Sequence, residues 1–100
     1  MNKAGFRYRL SQEADRDLED IFDYTTREFG IDQAVSYVFG FEEVFVNMAA
    51  NPGLGRKRDE IRKGLRSFVN GSDTIFYRVL KDHIHIVRVL HGNRDIIKFI

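Results

Sequence analysis

The sequence predicts an α+β fold: a helical hairpin packed on an antiparallel sheet, in the order β-α-α-β-β-β with a short C-terminal element. Three observations carry this reading. Residues 12–29 and 33–50 repeat apolar side chains at the i, i+3, i+4 spacing of amphipathic helices. The few residues between them, around Gly30, leave room only for an antiparallel hairpin. Beyond residue 64, three short apolar runs are divided by Asn70-Gly71-Ser72-Asp73 and by Lys81-Asp82, both turn chemistry.

Each element follows from local pattern. Phe6-Arg7-Tyr8-Arg9-Leu10 alternates apolar and basic residues, the period of a half-buried strand. Ser11 supplies an N-cap hydroxyl, and Glu13 and Asp15 fall in the first turn, where the helix dipole favours anions. Ala14, Leu18, Ile21, Phe22 and Thr25 form the apolar stripe of the first helix, with Asp17, Asp20 and Asp23 expected to point outward and Asp23 placed to pair with Arg27. Gly30 stops that helix by a left-handed conformation, and Asp32 is expected to cap the next. Ala34, Tyr37, Val38, Phe41, Val44, Phe45 and Met48 give the second helix a broad apolar face that ends at Asn51-Pro52-Gly53. LGRKRDEIRKG, residues 54–64, carries five basic residues and reads as a surface loop.

Strands are expected at Leu65–Val69, Thr74–Leu80 and Ile84–Leu90. A two-residue turn at Lys81-Asp82 sets Arg78 opposite His85 and Phe76 opposite Val87. The other face then carries Ile75, Tyr77, Val79, Ile84 and Ile86 against the helices, with Arg88 as the misfit, placed at the sheet margin or at a bulge. Ile96, Ile97, Phe99 and Ile100 need cover and predict a short terminal element.

At 100 residues the chain has room for one core, so residues 1–100 are expected to form a single domain. With no cysteine, disulfides and thiolate metal sites are excluded. Charges come too early for a signal peptide and no apolar run approaches membrane length, so a cytoplasmic protein is expected. No phosphate-binding glycine loop, GxSxG or HExxH is present, and His83 and His85 lack a third metal ligand, so neither cofactor nor metal is expected. The net charge of +1 conceals two opposite halves. Residues 1–50 hold ten acidic and five basic side chains, while residues 51–100 hold five acidic and eleven basic. That dipole predicts a molecule that grips a charged macromolecule.

Five segments carry a resemblance. Tyr8-Arg9-Leu10-Ser11 running into Asp17-Leu18-Glu19-Asp20-Ile21, Asn51-Pro52-Gly53-Leu54-Gly55-Arg56, Ile61 to Phe68, Ile75 to Val79, and Ile86 to Gly92 resemble, in order and spacing, the ParE branch of the RelE/ParE toxin superfamily. The resemblance implies the toxin of a bacterial type II toxin–antitoxin system, of the kind that serves plasmid stabilisation. It implies a ParD-like antitoxin whose disordered C-terminal segment folds onto the toxin in a hetero-oligomer. DNA gyrase is the implied target. Operator DNA is expected to be bound only through the antitoxin, since a net charge of +1 is low for an independent DNA binder.

The candidate residues divide by role. Arg56, Arg58, Arg62, Arg78, Arg88, His91 and Arg94 are the candidates for target binding and toxicity. Tyr24, Phe29, Tyr37 and Phe39, with Ile97, Phe99 and Ile100, are the candidates for antitoxin binding. No catalytic residue is expected of a gyrase inhibitor. The alternative, a RelE-type ribosome-dependent mRNA endonuclease, needs a cation for the developing phosphorane charge and a proton-handling group. It would draw them from Arg66, Arg78 and His91.

Overall fold

The computed structural model describes residues 7–92 and Ile100. The element order is β1 (Arg7–Leu10), α1 (Gln12–Phe29), α2 (Ile31–Ala50), β2 (Arg56–Lys57), β3 (Leu65–Asn70), β4 (Asp73–Val79) and β5 (His83–His91). The strands form one sheet in the order β1-β5-β4-β3-β2. β1 runs parallel to β5 and every other pairing is antiparallel, so the sheet is mixed rather than antiparallel throughout. The parallel edge was hidden because pairing partners far apart in sequence leave no local signal. The 54–64 segment likewise contributes a two-residue strand, β2, opposite Ser67 and Arg66, and is not only a surface loop. The short C-terminal element predicted around Ile96, Ile97 and Phe99 lies outside the described residues.

Both helix starts show how local chemistry set the hairpin. Ser11 Oγ accepts the Ala14 N–H at 2.9 Å, as an N-cap should. Gly30 at φ 96°, ψ 163° takes a positive-φ extended conformation rather than a left-handed helical one, and it joins the helices directly. α2 therefore begins at Ile31, and Asp32 sits inside the first turn instead of capping it.

The hairpin packs on one sheet face. Phe41, Phe45 and Met48 from α2 meet Ile75, Tyr77, Ile84, Ile86 and Val89, all buried. Leu65, Phe76 and Leu90 form a smaller cluster on the opposite face, covered by Ile61, Val87 and Ile100. The β3–β4 turn needs Gly71 at φ 62°; a Cβ there would also lie 2.8 Å from the Tyr37 hydroxyl.

One register feature differs from the alternation read in the sequence. Arg78 does face His85, but a bulge between Phe76 and Tyr77 sets Phe76 opposite Arg88, not Val87. The bulge shifts the helix-facing positions from Ile84 and Ile86 to Val89. Arg88 is the misfit that marked it.

Candidate functional site

The first surface begins where β1 stops. β1 ends at Leu10, paired with Ile86, so the backbone of β5 beyond that point needs other partners. Ser11 Oγ donates to the Val87 carbonyl at 2.8 Å, and the Asp17 carboxylate accepts the Val89 N–H at 2.9 Å. Asp17 also accepts Arg88 Nε and an Arg88 terminal nitrogen, each at 2.8 Å. The two side chains are 10% and 16% exposed, and the hydrogen bonds to Asp17 hold the Arg88 guanidinium charged still more firmly than usual. Asp17 therefore points inward, not to solvent as expected. Its spacing carried the signal, because it lies three residues after Ala14 and four before Ile21, on the buried stripe itself.

Beside this pair opens a cleft of about 740 Å³ between α1, the first turns of α2, the β3–β4 turn and the end of β5. Tyr24 and Phe29 from α1 and Tyr37 from α2 line it, with Asp20, Asp23 and His91. Its floor is organised by Asp73, a buried carboxylate that accepts the Tyr37 hydroxyl at 2.5 Å and lies 3.3 Å from His91 Nδ1. Burial first, and then the Asp73 hydrogen bond and charge, push the Tyr37 phenol well above its ordinary pKa. The Tyr24 and His91 rings sit 6.2 Å apart across the mouth. Three of the aromatic side chains singled out for antitoxin binding thus line one cleft. Phe39 does not; it stands on the outer face of α2 and is 65% exposed. Ile100 is half-buried against the second core cluster. Ile97 and Phe99 lie outside the described residues.

The second surface is the sheet face turned away from the helices. Arg56 opposite Ser67, and Arg78 opposite Leu65 and His85, project there by strand alternation. Arg58 joins them, with a terminal nitrogen 3.1 Å from Ser67 Oγ, Nε 2.7 Å from Glu60, and its guanidinium 6.0 Å from the centre of the Phe76 ring. Arg62 borders the group and donates to the Ile100 carbonyl. Arg88 and His91 belong instead to the helix side, and Arg94 lies outside the described residues.

The trio that mRNA cleavage would draw on does not meet. Arg66 is drawn to the Gly55 carbonyl at 2.6 Å. Arg78 and His91 occupy opposite ends of the β4–β5 pairing, with His91 opposite Asp73, so about 17 Å of strand separates them. The histidine paired with Arg78 is His85, and His83 shares that face two residues before it. Among the described residues no group of three or more His, Cys, Asp or Glu side chains could hold a metal ion, and no helix is long and apolar enough to cross a membrane.

Comparison with known proteins places this geometry. Residues 8–96 match the family model described as the ParE toxin of the type II toxin–antitoxin system, parDE. Toxin ParE1 of Mycobacterium tuberculosis is 45% identical over 91 residues, which is 90% of this chain and 93% of that protein. Toxin ParE1 of Caulobacter vibrioides is 38% identical over 88 residues, covering 88% and 91%. Among solved structures, the chromosomal ParDE toxin–antitoxin system from P. aeruginosa superposes with a TM-score of 0.78 at 19% identity, covering 91% of this chain and all of that one. The RelBE2 toxin–antitoxin complex of M. tuberculosis follows at 0.56 and 22%, covering 87% and 98%. The fold is that of the RelE/ParE superfamily. The chain belongs to the ParE toxin family of type II toxin–antitoxin systems.

Proposed function

We propose that this ParE toxin works by docking, with its two surfaces divided between two partners. A ParD-like antitoxin segment occupies the aromatic cleft, against Tyr24, Phe29 and Tyr37. The basic sheet face, with Arg56, Arg58, Arg62 and Arg78, engages DNA gyrase in the bacterial cytoplasm. The supporting observation is the segregation of charge. The hairpin of residues 12–50 holds ten acidic side chains against two arginines, while Arg56 and Arg78 project from the opposite sheet face and Arg58 lies over Phe76 there. An antitoxin that is disordered when free offsets its ordering cost by burying a large area, commonly above ~1,000 Å². A lined cleft flanked by exposed apolar helix surface suits that mode. Antitoxin binding also brings the only operator-DNA contact, through the antitoxin in a hetero-oligomer.

The test is a supercoiling assay with purified toxin and gyrase. Supercoiling falls and cleaved DNA accumulates as toxin is added, and the antitoxin reverses both. Unchanged supercoiling at micromolar toxin overturns the gyrase assignment. A second reading, an mRNA endonuclease, draws on one observation: His85 stands opposite Arg78 on the basic face, where a proton-handling group and a phosphate-binding cation would be needed. It predicts cut mRNA in a translating extract, lost on His85→Ala and retained on His91→Ala.

A further inference from the structure

The sheet carries a second basic group, at the corner where β1 meets β5, that docking through Arg56 and Arg58 leaves unused. Arg7 and Arg9 are exposed and alternate with Tyr8 and Leu10, which pack toward the helices, so both arginines project from the opposite sheet face. β5 continues the pattern, because His83 and His85 alternate with the buried Ile84 and Ile86. Pairing in register sets Arg7 beside His83 and Arg9 beside His85, and His85 in turn beside Arg78. Neighbouring strands lie about 4.8 Å apart and alternate residues about 6.6 Å apart, so the group is a flat lattice of nitrogen donors roughly 10 Å wide. Exposed Lys81 in the adjoining turn adds a further cation, and the carboxylate of Asp82 beside it is taken up by His83 Nδ1 at 2.8 Å. Charge on an edge strand guards against unwanted strand pairing. Arg7 and Arg9 would meet that need alone; it does not call for His83, His85 and Arg78 on the next two strands.

The surroundings select the ligand. Arginine forks hold phosphate oxygens in pairs, and a flat array of such donors suits an anion that repeats along a chain. An acidic protein would also need an apolar core to its interface, and on this face the corner offers it the exposed side chain of Leu80. Single-stranded nucleic acid would need an aromatic platform for its bases. Among the described residues the large exposed aromatic side chains, Tyr24, Phe29 and Phe39, all belong to the helices. We propose that the β1–β5 corner grips the phosphate backbone of duplex DNA, without regard to sequence, so that the toxin holds gyrase and the DNA that gyrase is handling at the same time. The inference rests on the gyrase reading only for the source of that DNA. Recognition of operator sequence stays with the antitoxin.

The probe is a fluorescein-labelled duplex of about 20 base pairs, titrated with the intact chain and read by anisotropy from about 50 to 200 mM salt. The duplex binds at the low end, and log affinity falls linearly with log salt. Arg7→Gln with Arg9→Gln weakens binding about tenfold or more and lowers the salt slope by about 2, since each phosphate contact contributes about 0.9. Tm is unchanged. Arg16→Gln with Arg27→Gln removes the same charge from exposed positions of α1 and changes affinity less than about twofold. Backbone amide shifts in the wild-type chain cluster in residues 7–10 and 83–85, which locates the site even where the double variant fails to fold. Four results overturn the proposal: no duplex binding at low salt; equal loss in the α1 variant; a polyglutamate peptide or single-stranded DNA bound as tightly as the duplex; or shifts centred elsewhere. In a second arm, gyrase loaded with DNA captures the Arg7 and Arg9 variant more weakly than wild type, while gyrase alone captures both equally. Equal capture by the loaded enzyme overturns the joint grip. Duplex binding that persists while supercoiling is untouched supports the phosphate site and sinks the gyrase reading.

Discussion

Asp17→Ala is the substitution whose cost the structure defines most closely. The wild-type carboxylate accepts two Arg88 bonds and the Val89 N–H, and alanine removes all three acceptor contacts at once. What remains is a guanidinium only 16% exposed and a buried backbone donor, both stripped of Asp17. Breaking a buried pair by deleting one partner costs about 3–5 kcal/mol. A whole domain is stable by only about 5–15 kcal/mol, so the variant loses a large part of its margin. Replacing both partners, Asp17→Ala with Arg88→Met, removes the half-desolvated guanidinium as well and recovers part of the loss, leaving mainly the Val89 N–H unpaired at about 1–3 kcal/mol. Urea denaturation of wild type, both single variants and the double variant measures this as a mutant cycle. A loss below about 1 kcal/mol for Asp17→Ala, in the range of exposed ion pairs, refutes the claim that this pair fixes α1 to β5. So does a double variant no more stable than Asp17→Ala.

Four further outcomes follow from the packing. Phe41 is fully buried at the centre of the main core, so Phe41→Ala costs about 3–5 kcal/mol by thermal or urea unfolding; a loss near zero would mean the hairpin does not seat there. The Tyr77 hydroxyl accepts the Gly55 N–H at 2.7 Å and donates to the Pro52 carbonyl at 2.9 Å, so Tyr77→Phe costs about 1–3 kcal/mol through the stranded amide. Gly55→Ala is more severe, because its Cβ would lie 2.7 Å from the Ser67 carbonyl and from the Tyr77 ring and hydroxyl. Finally, Tyr37 has its phenol pKa raised in the folded state, so its contribution to stability is complete below about pH 10, where the unfolded phenol begins to ionise. It is lost as pH rises above that value through the folded pKa. Tm measured from pH 8 upward should fall beyond pH 10, less steeply in Tyr37→Phe; identical profiles for the two proteins would contradict the Asp73 contact.

The helices were legible in the sequence because their signals are local. Ser11, the two apolar stripes and Asn51-Pro52 each act over one or two turns, and the helix limits fall beside them. The β4–β5 turn was legible for the same reason, and with it the Arg78 and His85 pairing. The parallel edge between β1 and β5 depends on residues more than seventy positions apart, for which a single sequence offers no pattern. Asp17 was misread by residue type: a carboxylate on an apolar stripe is usually turned out, and only its partner across the fold explains its burial. The cleft was half legible. Tyr24, Phe29 and Tyr37 were candidates as exposed aromatic side chains, but Asp73, which organises them, looked like turn chemistry.

The proposed division of two faces between two partners is tested most directly by one charge reversal. Arg56→Glu with Arg78→Glu alters only the basic sheet face, so gyrase inhibition should fall at least tenfold while affinity for a ParD-like antitoxin and Tm stay within error of wild type. Inhibition that survives the double reversal, or that disappears together with antitoxin binding, would contradict the division.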